Sequence, residues 1–138
     1  MDDATLQQLK QAATEIRERA YCPYSEFAVG AALLDDHGTI HVGVNVENAA
    51  YPVGVCAERN ALFSAVTRGS HTFVALALMT PASEPTAPCG MCRQALSEFA
   101  PDLPLFLGTP QGTWLETTLS DVFDMQITPG AIINNRNN

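Results

Sequence analysis

Long apolar runs and basic residues are both scarce in this chain of 138 residues, and each shortage excludes a class of function. No apolar segment approaches the ~20 residues that a membrane-spanning helix requires. The opening residues MDDATLQQLK are acidic and polar, whereas a secretory signal begins with basic residues and continues with apolar ones. We therefore expect a cytoplasmic protein that has no membrane partner.

The charge balance argues against a nucleic-acid partner. Seven Lys and Arg residues stand against fifteen Asp and Glu residues, which gives a formal net charge of -8 at pH 7. Proteins that bind nucleic acid through its phosphates need clustered Lys and Arg side chains. Any ligand related to nucleic acid should therefore be a small molecule.

Cysteine is sparse, and the chain has four: Cys22, Cys56, Cys89 and Cys92. An even count could mean two disulfides, but a reducing compartment makes disulfides improbable and favours metal binding or catalysis. Cys89 and Cys92 have the C-x2-C spacing of metal ligands and of redox pairs. We expect a metal site ahead of a disulfide.

The length of the chain predicts one domain over residues 1–138, because a chain of this length can bury a single sizeable core. Apolar residues at helical spacing predict an opening helix from Thr5 to Ala20, with Thr5 and Gln8 as a capping box. Two β-rich runs, 27–34 and 40–48, flank DDHGT and predict an antiparallel pair.

The second half of the chain alternates helices and strands. The patterns predict helices over 57–67 and 89–100, and strands over 72–79 and 104–108. This order predicts the α/β class, with helices that cover a mixed sheet. The polar tail, about residues 128–138, is expected to be flexible.

Three cysteines and one glutamate form the constellation that carries chemistry. A catalytic zinc keeps three protein ligands and an open position for water, and Cys56, Cys89 and Cys92 could supply those ligands. Glu58 lies two residues after Cys56 at a predicted helix start, where it could exchange protons with a water at the metal. A structural zinc site completed by Cys22, or a redox C-x2-C pair, remains the alternative.

The predicted helix starts also bear on the charge of the site. Three thiolates and one Zn²⁺ sum to minus one, and partial positive charge at helix N-termini offsets part of that excess. Arg59, next to Glu58, could add a further positive charge beside Cys56. The alternative is a helix arginine that faces solvent.

The blocks around these residues resemble the cytidine deaminase family, in its small homotetrameric branch with three cysteine ligands. PYSEFAVGAALL, GVNVENAAYPVGVCAERNAL and PCGMCRQALSEFAP are similar to the family's motifs and follow the family's order over most of residues 20–101. The resemblance implies a three-layer α-β-α sandwich around a mixed sheet of about five strands. It also implies a zinc-dependent hydrolase of pyrimidine salvage, which converts cytidine and 2'-deoxycytidine into uridine and 2'-deoxyuridine.

The resemblance assigns the reaction centre residue by residue. It makes Cys56, Cys89 and Cys92 the ligands of one Zn²⁺ per subunit, and Glu58 the catalytic acid/base that moves protons while water attacks C4 of the pyrimidine. The backbone of Ala57 and Cys89 would contact the base.

It likewise assigns the residues around the centre. Asn45 and Glu47 match the pair that holds the ribose 3'-hydroxyl, and Phe27 matches an aromatic near the pyrimidine ring. Taken alone, the first two would be a polar strand end and Phe27 a core residue. The resemblance implies that Arg59 and Gln94 donate hydrogen bonds to the sulfur atoms of the zinc ligands. It also implies that Tyr51 and Phe123 help to form composite pockets between the subunits of a homotetramer.

Some features leave other functions open. The text TLSDVFDMQITPG around Phe123 departs from the usual family ending, and Cys22 stands where the family usually has another residue, which we interpret as packing. A related deaminase with another substrate, such as blasticidin S, is one alternative. A zinc scaffold without activity is another, although a purely structural site has no need of Glu58.

Overall fold

The computed structural model describes residues 1–133 of the chain. Five strands and five α-helices follow one another in this order: α1 (Asp3–Ile16), β1 (Gly30–Asp35), β2 (Ile40–Val44), α2 (Ala57–Thr67), β3 (Phe73–Met79), α3 (Gly90–Ser97), β4 (Pro104–Gly108), β5 (Trp114–Thr118), α4 (Leu119–Val122) and α5 (Pro129–Ile133). Short 3₁₀ turns lie at Arg17–Arg19 and Tyr51–Val53.

The strands form one mixed sheet in the order β2-β1-β3-β4-β5. Only the β3–β4 pair is parallel, and α3 connects its two strands, as a parallel pair requires a crossover. The other neighbouring pairs are antiparallel, including the predicted β1–β2 hairpin. The family's mixed sheet of about five strands is therefore confirmed.

Helices cover both faces of this sheet. Alternate residues of β1 point to opposite faces, so Leu33 joins the core beneath α2 and α3 while Leu34 joins the core beneath α1. Leu76 and Ala77 of β3 divide in the same way. The predicted three-layer α-β-α sandwich is confirmed, and α2 and α3 share one layer.

A glycine sets the distance between α2 and the sheet. A Cβ atom on Gly43 of β2 would lie 2.4 Å from the backbone nitrogen of Ala61 and 2.5 Å from the carbonyl oxygen of Ala57. Any larger residue would push α2 away from β2. Because α2 begins directly after Cys56, this close approach also fixes where that cysteine lies.

Several predicted boundaries are wrong. The first helix begins at Asp3, and Asp2 is its cap, with Oδ1 accepting a hydrogen bond from the Thr5 backbone nitrogen at 2.8 Å. Thr5 therefore lies inside the helix and does not cap it. The helix ends at Ile16 and continues only as a 3₁₀ turn, and α3 covers Gly90–Ser97, less than predicted.

The first two strands are shorter than predicted because a side chain takes over their hydrogen bonds. Asn45 Oδ1 accepts from the Val29 backbone nitrogen at 2.9 Å, and its Nδ2 donates to the Phe27 carbonyl at 2.8 Å. Residues 27–29 therefore run outside the sheet ladder, and β1 begins at Gly30. This departure turns Phe27 toward a cavity, described below.

The end of the chain was the least predictable part. The edge strand β5 and the short helices α4 and α5 were not predicted, because their residues are largely half-buried or exposed and lack a clear apolar pattern. Part of the predicted flexible tail is helical, and residues 134–138 lie outside the described residues. Among residues 1–133, every helix is too short or too polar to cross a membrane.

Candidate metal centre and active site

Three thiols converge at the N-terminal ends of α2 and α3. Cys56 and Cys89 are the residues immediately before these helices, and Cys92 lies in the first turn of α3. The three Sγ atoms lie within 4.8 Å of one another, and those of Cys56 and Cys89 are 3.6 Å apart. Sulfur ligands at ~2.3 Å from a tetrahedral zinc lie roughly 3.8 Å apart, so the three thiols fit one zinc ion.

Cys22 does not belong to this cluster. It is half-buried in a separate loop, where its carbonyl oxygen accepts a hydrogen bond from the Glu26 backbone nitrogen at 2.9 Å. A zinc site with four cysteine ligands, which the sequence left open, therefore has no support within residues 1–133. Three thiols leave a fourth coordination position for a water or a substrate.

Hydrogen bonds connect the three thiols, and a metal cation could take the place of the protons in these bonds. The pKa of Cys56 is lowered to about 5, chiefly by the hydrogen bond with Cys92 and also by Arg59 and Cys89, against the opposing effect of burial. The same hydrogen bond and burial raise the pKa of Cys92. Metal binding requires thiolates and releases such protons, so this donor set is suited to Zn²⁺.

Arg59 lies beside the thiols. Its Nη2 donates to Cys56 Sγ at 3.6 Å, and this hydrogen bond is the main cause that raises the pKa of the guanidinium. The N-termini of α2 and α3 point their backbone N–H groups toward the same cluster. Both features oppose the negative charge of three thiolates.

Glu58 is buried beside these thiols, with 4% of its surface exposed. Burial raises the pKa of this carboxyl, and the negative charge of Cys56 raises it further. A carboxyl that binds a proton closer to neutral pH is suited to accept and return protons during a reaction. The residue is the second of α2, so the fold that places Cys56 places Glu58 as well.

A cavity of about 350 Å³ opens over this group. Its volume is in the range of small-molecule sites, which commonly measure ~300–1,000 Å³. Seven of the predicted site residues line it: Phe27, Asn45, Glu47, Cys56, Ala57, Glu58 and Cys89. Cys56 and Cys89 are 33 positions apart in the sequence, and the fold brings both to one cavity.

Asn45 and Glu47 hold the loop that forms one wall of this cavity. Besides the two bonds of Asn45 to Phe27 and Val29, Glu47 Oε1 accepts from the backbone nitrogens of Tyr24 and Ser25 at 3.1 and 3.0 Å. The Ser25 hydroxyl donates to Glu47 Oε2 and is the main cause that lowers the pKa of Glu47.

Three predicted residues belong neither to this cavity nor to the thiol cluster with Arg59 beside it. Tyr51 is 73% exposed and meets the Tyr24 ring edge-on at 5.7 Å, beside an adjoining cavity of about 370 Å³. Phe123 is half-buried against the core beneath α2 and α3. The Gln94 side chain donates to the Ile127 carbonyl at 3.1 Å, so the structure gives it a backbone partner where the resemblance implied a sulfur.

Sequence reasoning missed four polar residues of the cavity: Ser25, Thr80, Thr86 and Arg93. Ser25 Oγ accepts from the Phe27 backbone nitrogen at 3.0 Å, in addition to its bond with Glu47. Arg93 follows Cys92 directly and bonds two backbone carbonyls. Ser25 and Arg93 lie inside the quoted motifs, and this position was the available signal. No spacing rule distinguishes them from surface residues.

Comparison with known proteins identifies the family. The model of the "Cytidine and deoxycytidylate deaminase zinc-binding region" matches residues 3–106. The chain belongs to this family. Its members include a cytidine deaminase of Sporosarcina psychrophila, 47% identical over 116 residues, which cover 83% of this chain and 82% of the relative.

Two further comparisons span nearly the whole chain. A cytidine deaminase of Halalkalibacterium halodurans is 44% identical over 126 residues, covering 91% of this chain and 92% of the relative. The crystal structure of cytidine deaminase from Burkholderia pseudomallei matches with a TM-score of 0.85 and 42% identity, covering 92% of this chain and 100% of that one. The predicted family, its enzyme class of zinc-dependent hydrolytic deaminases and its zinc cofactor are confirmed.

Proposed function

We propose that residues 1–138 form one deaminase domain that converts cytidine and 2'-deoxycytidine into uridine and 2'-deoxyuridine, with release of ammonia, in pyrimidine salvage. The observation that carries this proposal is the buried Glu58 beside three convergent thiols, in a cavity of about 350 Å³. The free thiols of Cys56, Cys89 and Cys92 support the reducing cytoplasm as its compartment.

Cys56, Cys89 and Cys92 would hold the metal, and Glu58 would move the protons. When bound, zinc supplies Lewis-acid activation of water at neutral pH. The Glu58 carboxylate takes one proton from the attacking water and delivers it to N3 of the pyrimidine, while a C4–O bond forms. It then takes the remaining hydroxyl proton and delivers it to the amino nitrogen, and the C4–N bond breaks to release ammonia.

The wall that carries Asn45 and Glu47 is suited to a sugar. The amide nitrogen of Asn45 has two N–H groups, and one of them donates to the Phe27 carbonyl, so the other can donate to a ligand. A carboxylate accepts up to about four hydrogen bonds, and three donors from Tyr24 and Ser25 reach Glu47. Each side chain therefore has capacity for a ribose hydroxyl, and Phe27 would cover the base.

A homotetramer with composite active sites is the assembly we infer from the resemblance. Large apolar side chains lie exposed at or beside the adjoining cavity of about 370 Å³, among them Tyr24 at 49%, Tyr51 at 73% and Val53 at 62%. Such surfaces are typical of contacts with another chain. The half-buried position of Phe123 in its own chain means that its proposed reach into a neighbouring site requires a rearrangement or a partly exposed edge of the ring.

The test is the ultraviolet absorbance change of cytidine, 2'-deoxycytidine, CMP and blasticidin S, followed with zinc-loaded and with chelator-treated protein. We expect rapid loss of the cytidine and deoxycytidine signals that disappears with the metal. Turnover of blasticidin S alone would reassign the substrate. No turnover of any compound by protein that contains one zinc per subunit would refute the proposed function and favour a scaffold.

A further inference from the structure

Arg93 connects the cysteine loop to the end of the fold. Its Nε donates to the Pro88 carbonyl at 2.6 Å, and its Nη1 donates to the Val122 carbonyl at 2.9 Å. The residue is half-buried in α3, directly after Cys92, and lines the cavity of the site. One guanidinium therefore bridges two segments that are 34 positions apart in the sequence, counted from Pro88 to Val122.

The bond to Pro88 acts on Cys89 through the backbone. The Pro88 carbonyl belongs to the peptide that joins Pro88 to Cys89, so fixing its direction fixes the backbone from which the Cys89 side chain projects. Pro88 is fully buried, whereas Cys89 is exposed. Since α3 begins only at Gly90, the orientation of Cys89 relative to Cys92 depends on contacts of this kind.

The bond to Val122 anchors the far side of the guanidinium. Val122 is the last residue of α4, and the last carbonyls of a helix lack partners within the helix. Val122 and Phe123 also pack against the core beneath α2 and α3. Gln94, the next residue of α3, adds a parallel bond to the Ile127 carbonyl at 3.1 Å. We call residues 122–127 the C-terminal segment.

We propose that Arg93 is a positioning residue that holds Cys89 in its metal-binding orientation and braces it against the C-terminal segment. An arginine is required because its planar fork reaches two carbonyls at once, whereas the single ammonium of a lysine is a point charge. Groups that orient metal ligands commonly affect metal affinity or activity 10- to 100-fold. The proposal rests on the zinc site of the proposed function.

The test compares zinc release from Arg93→Met, Arg93→Lys and the parent protein, with Arg68→Met as the matched control. Arg68 is an exposed residue that follows α2, and its substitution removes the same charge away from the cavity. A chelating dye measures the release rate, and thermal unfolding is recorded with and without zinc. We expect about 10- to 100-fold faster release from Arg93→Met, a smaller gain in melting temperature on zinc binding, and intermediate values for Arg93→Lys.

A purely structural role would give a different pattern. Arg93→Met would then lower the melting temperatures of the zinc-loaded and metal-free proteins equally and leave zinc release at the parent rate, which would overturn the proposal. If Arg93→Met does not fold, Arg93→Lys decides, because parent-like zinc release from that variant overturns the proposal too. Cytidine turnover by the parent protein is recorded separately, so loss of the proposed function does not affect this comparison.

Discussion

Two buried carboxylates of this protein have opposite protonation behaviour. Glu58 is 4% exposed and Asp35 is 2% exposed, yet the pKa of Glu58 is raised and that of Asp35 is lowered. Burial pushes both values upward. At Asp35, hydrogen bonds from the His41 and Ser70 side chains outweigh burial, and the backbone nitrogens of Thr39 and His37 add to them.

The difference teaches that burial alone does not make a general acid/base. Asp35 receives its donors from the turn between β1 and β2, from the His41 ring of β2 and from Ser70, so its negative charge is fixed in place. Glu58 instead has burial and the negative charge of Cys56 acting together, at the wall of a cavity. We therefore expect the first carboxylate to serve stability and the second to serve chemistry.

Glu58→Gln should produce the largest effect. The amide keeps the shape of the side chain but cannot take up or deliver a proton, so kcat for cytidine should fall by roughly 10²- to 10⁴-fold. Zinc content and thermal unfolding should stay near the parent values. Glu98→Gln, at an exposed position after α3, is the control and should keep full activity. A Glu58→Gln variant with parent turnover would remove Glu58 from the mechanism.

Asp35→Asn should have the opposite effect to Glu58→Gln: the free energy of unfolding should fall, and kcat should be retained. The new amide nitrogen of residue 35 is itself a donor and cannot accept hydrogen bonds from neighbouring donors. At least one of the bonds with His41 and Ser70 would therefore be lost, which costs about 2–3 kcal/mol of unfolding free energy. Urea unfolding measures this loss, and kcat under native conditions should change less than about twofold. The exposed neighbour Asp36→Asn should stay within about 0.5 kcal/mol of the parent. Equal losses in both variants would contradict the structural role of Asp35.

Glu47 is a third carboxylate, partly exposed, whose pKa the Ser25 hydroxyl lowers. Glu47→Gln should raise KM for cytidine about tenfold and leave kcat within about threefold, because the proposed contact with the ribose is distant from the reacting C4 atom. The same variant assayed with 2',3'-dideoxycytidine provides the control, since that substrate lacks the 3'-hydroxyl. An equal rise in KM for both substrates would show that Glu47 only holds the Tyr24–Ser25 loop.

The loss of unfolding free energy at acid pH should be the smallest effect. A carboxyl whose folded pKa lies below its ordinary value of 3.8 adds stability above that pH, and this stability is lost as pH falls toward the folded pKa. At pH 3 the parent should therefore have lost about 1 kcal/mol through Asp35. Urea unfolding at pH 7 and pH 3 should show the Asp35→Asn variant losing less than the parent does. Parallel losses in the two proteins would exclude Asp35 as the cause.

Helices and strands with continuous apolar patterns were predictable. The bounds 57–67 and 104–108 agree with α2 and β4, because each element buries one regular set of side chains. The predicted strand start at Phe27 was wrong, since the Asn45 side chain captures the backbone of residues 27–29. The half-exposed strand β5 gave no periodic signal and was missed.

The sequence by itself determined the chemistry of this protein. Cys56 with Glu58, and Cys89 with Cys92, are pairs at short spacing in the sequence, each at the start of a helix. Tertiary structure decided everything that joins distant segments: the meeting of the two pairs, the opposite pKa shifts of Asp35 and Glu58, and the bridge from Arg93 to Val122. The physical reason is that ligand type and helix phase are local properties, whereas burial and hydrogen-bond partners depend on how the layers pack around the sheet.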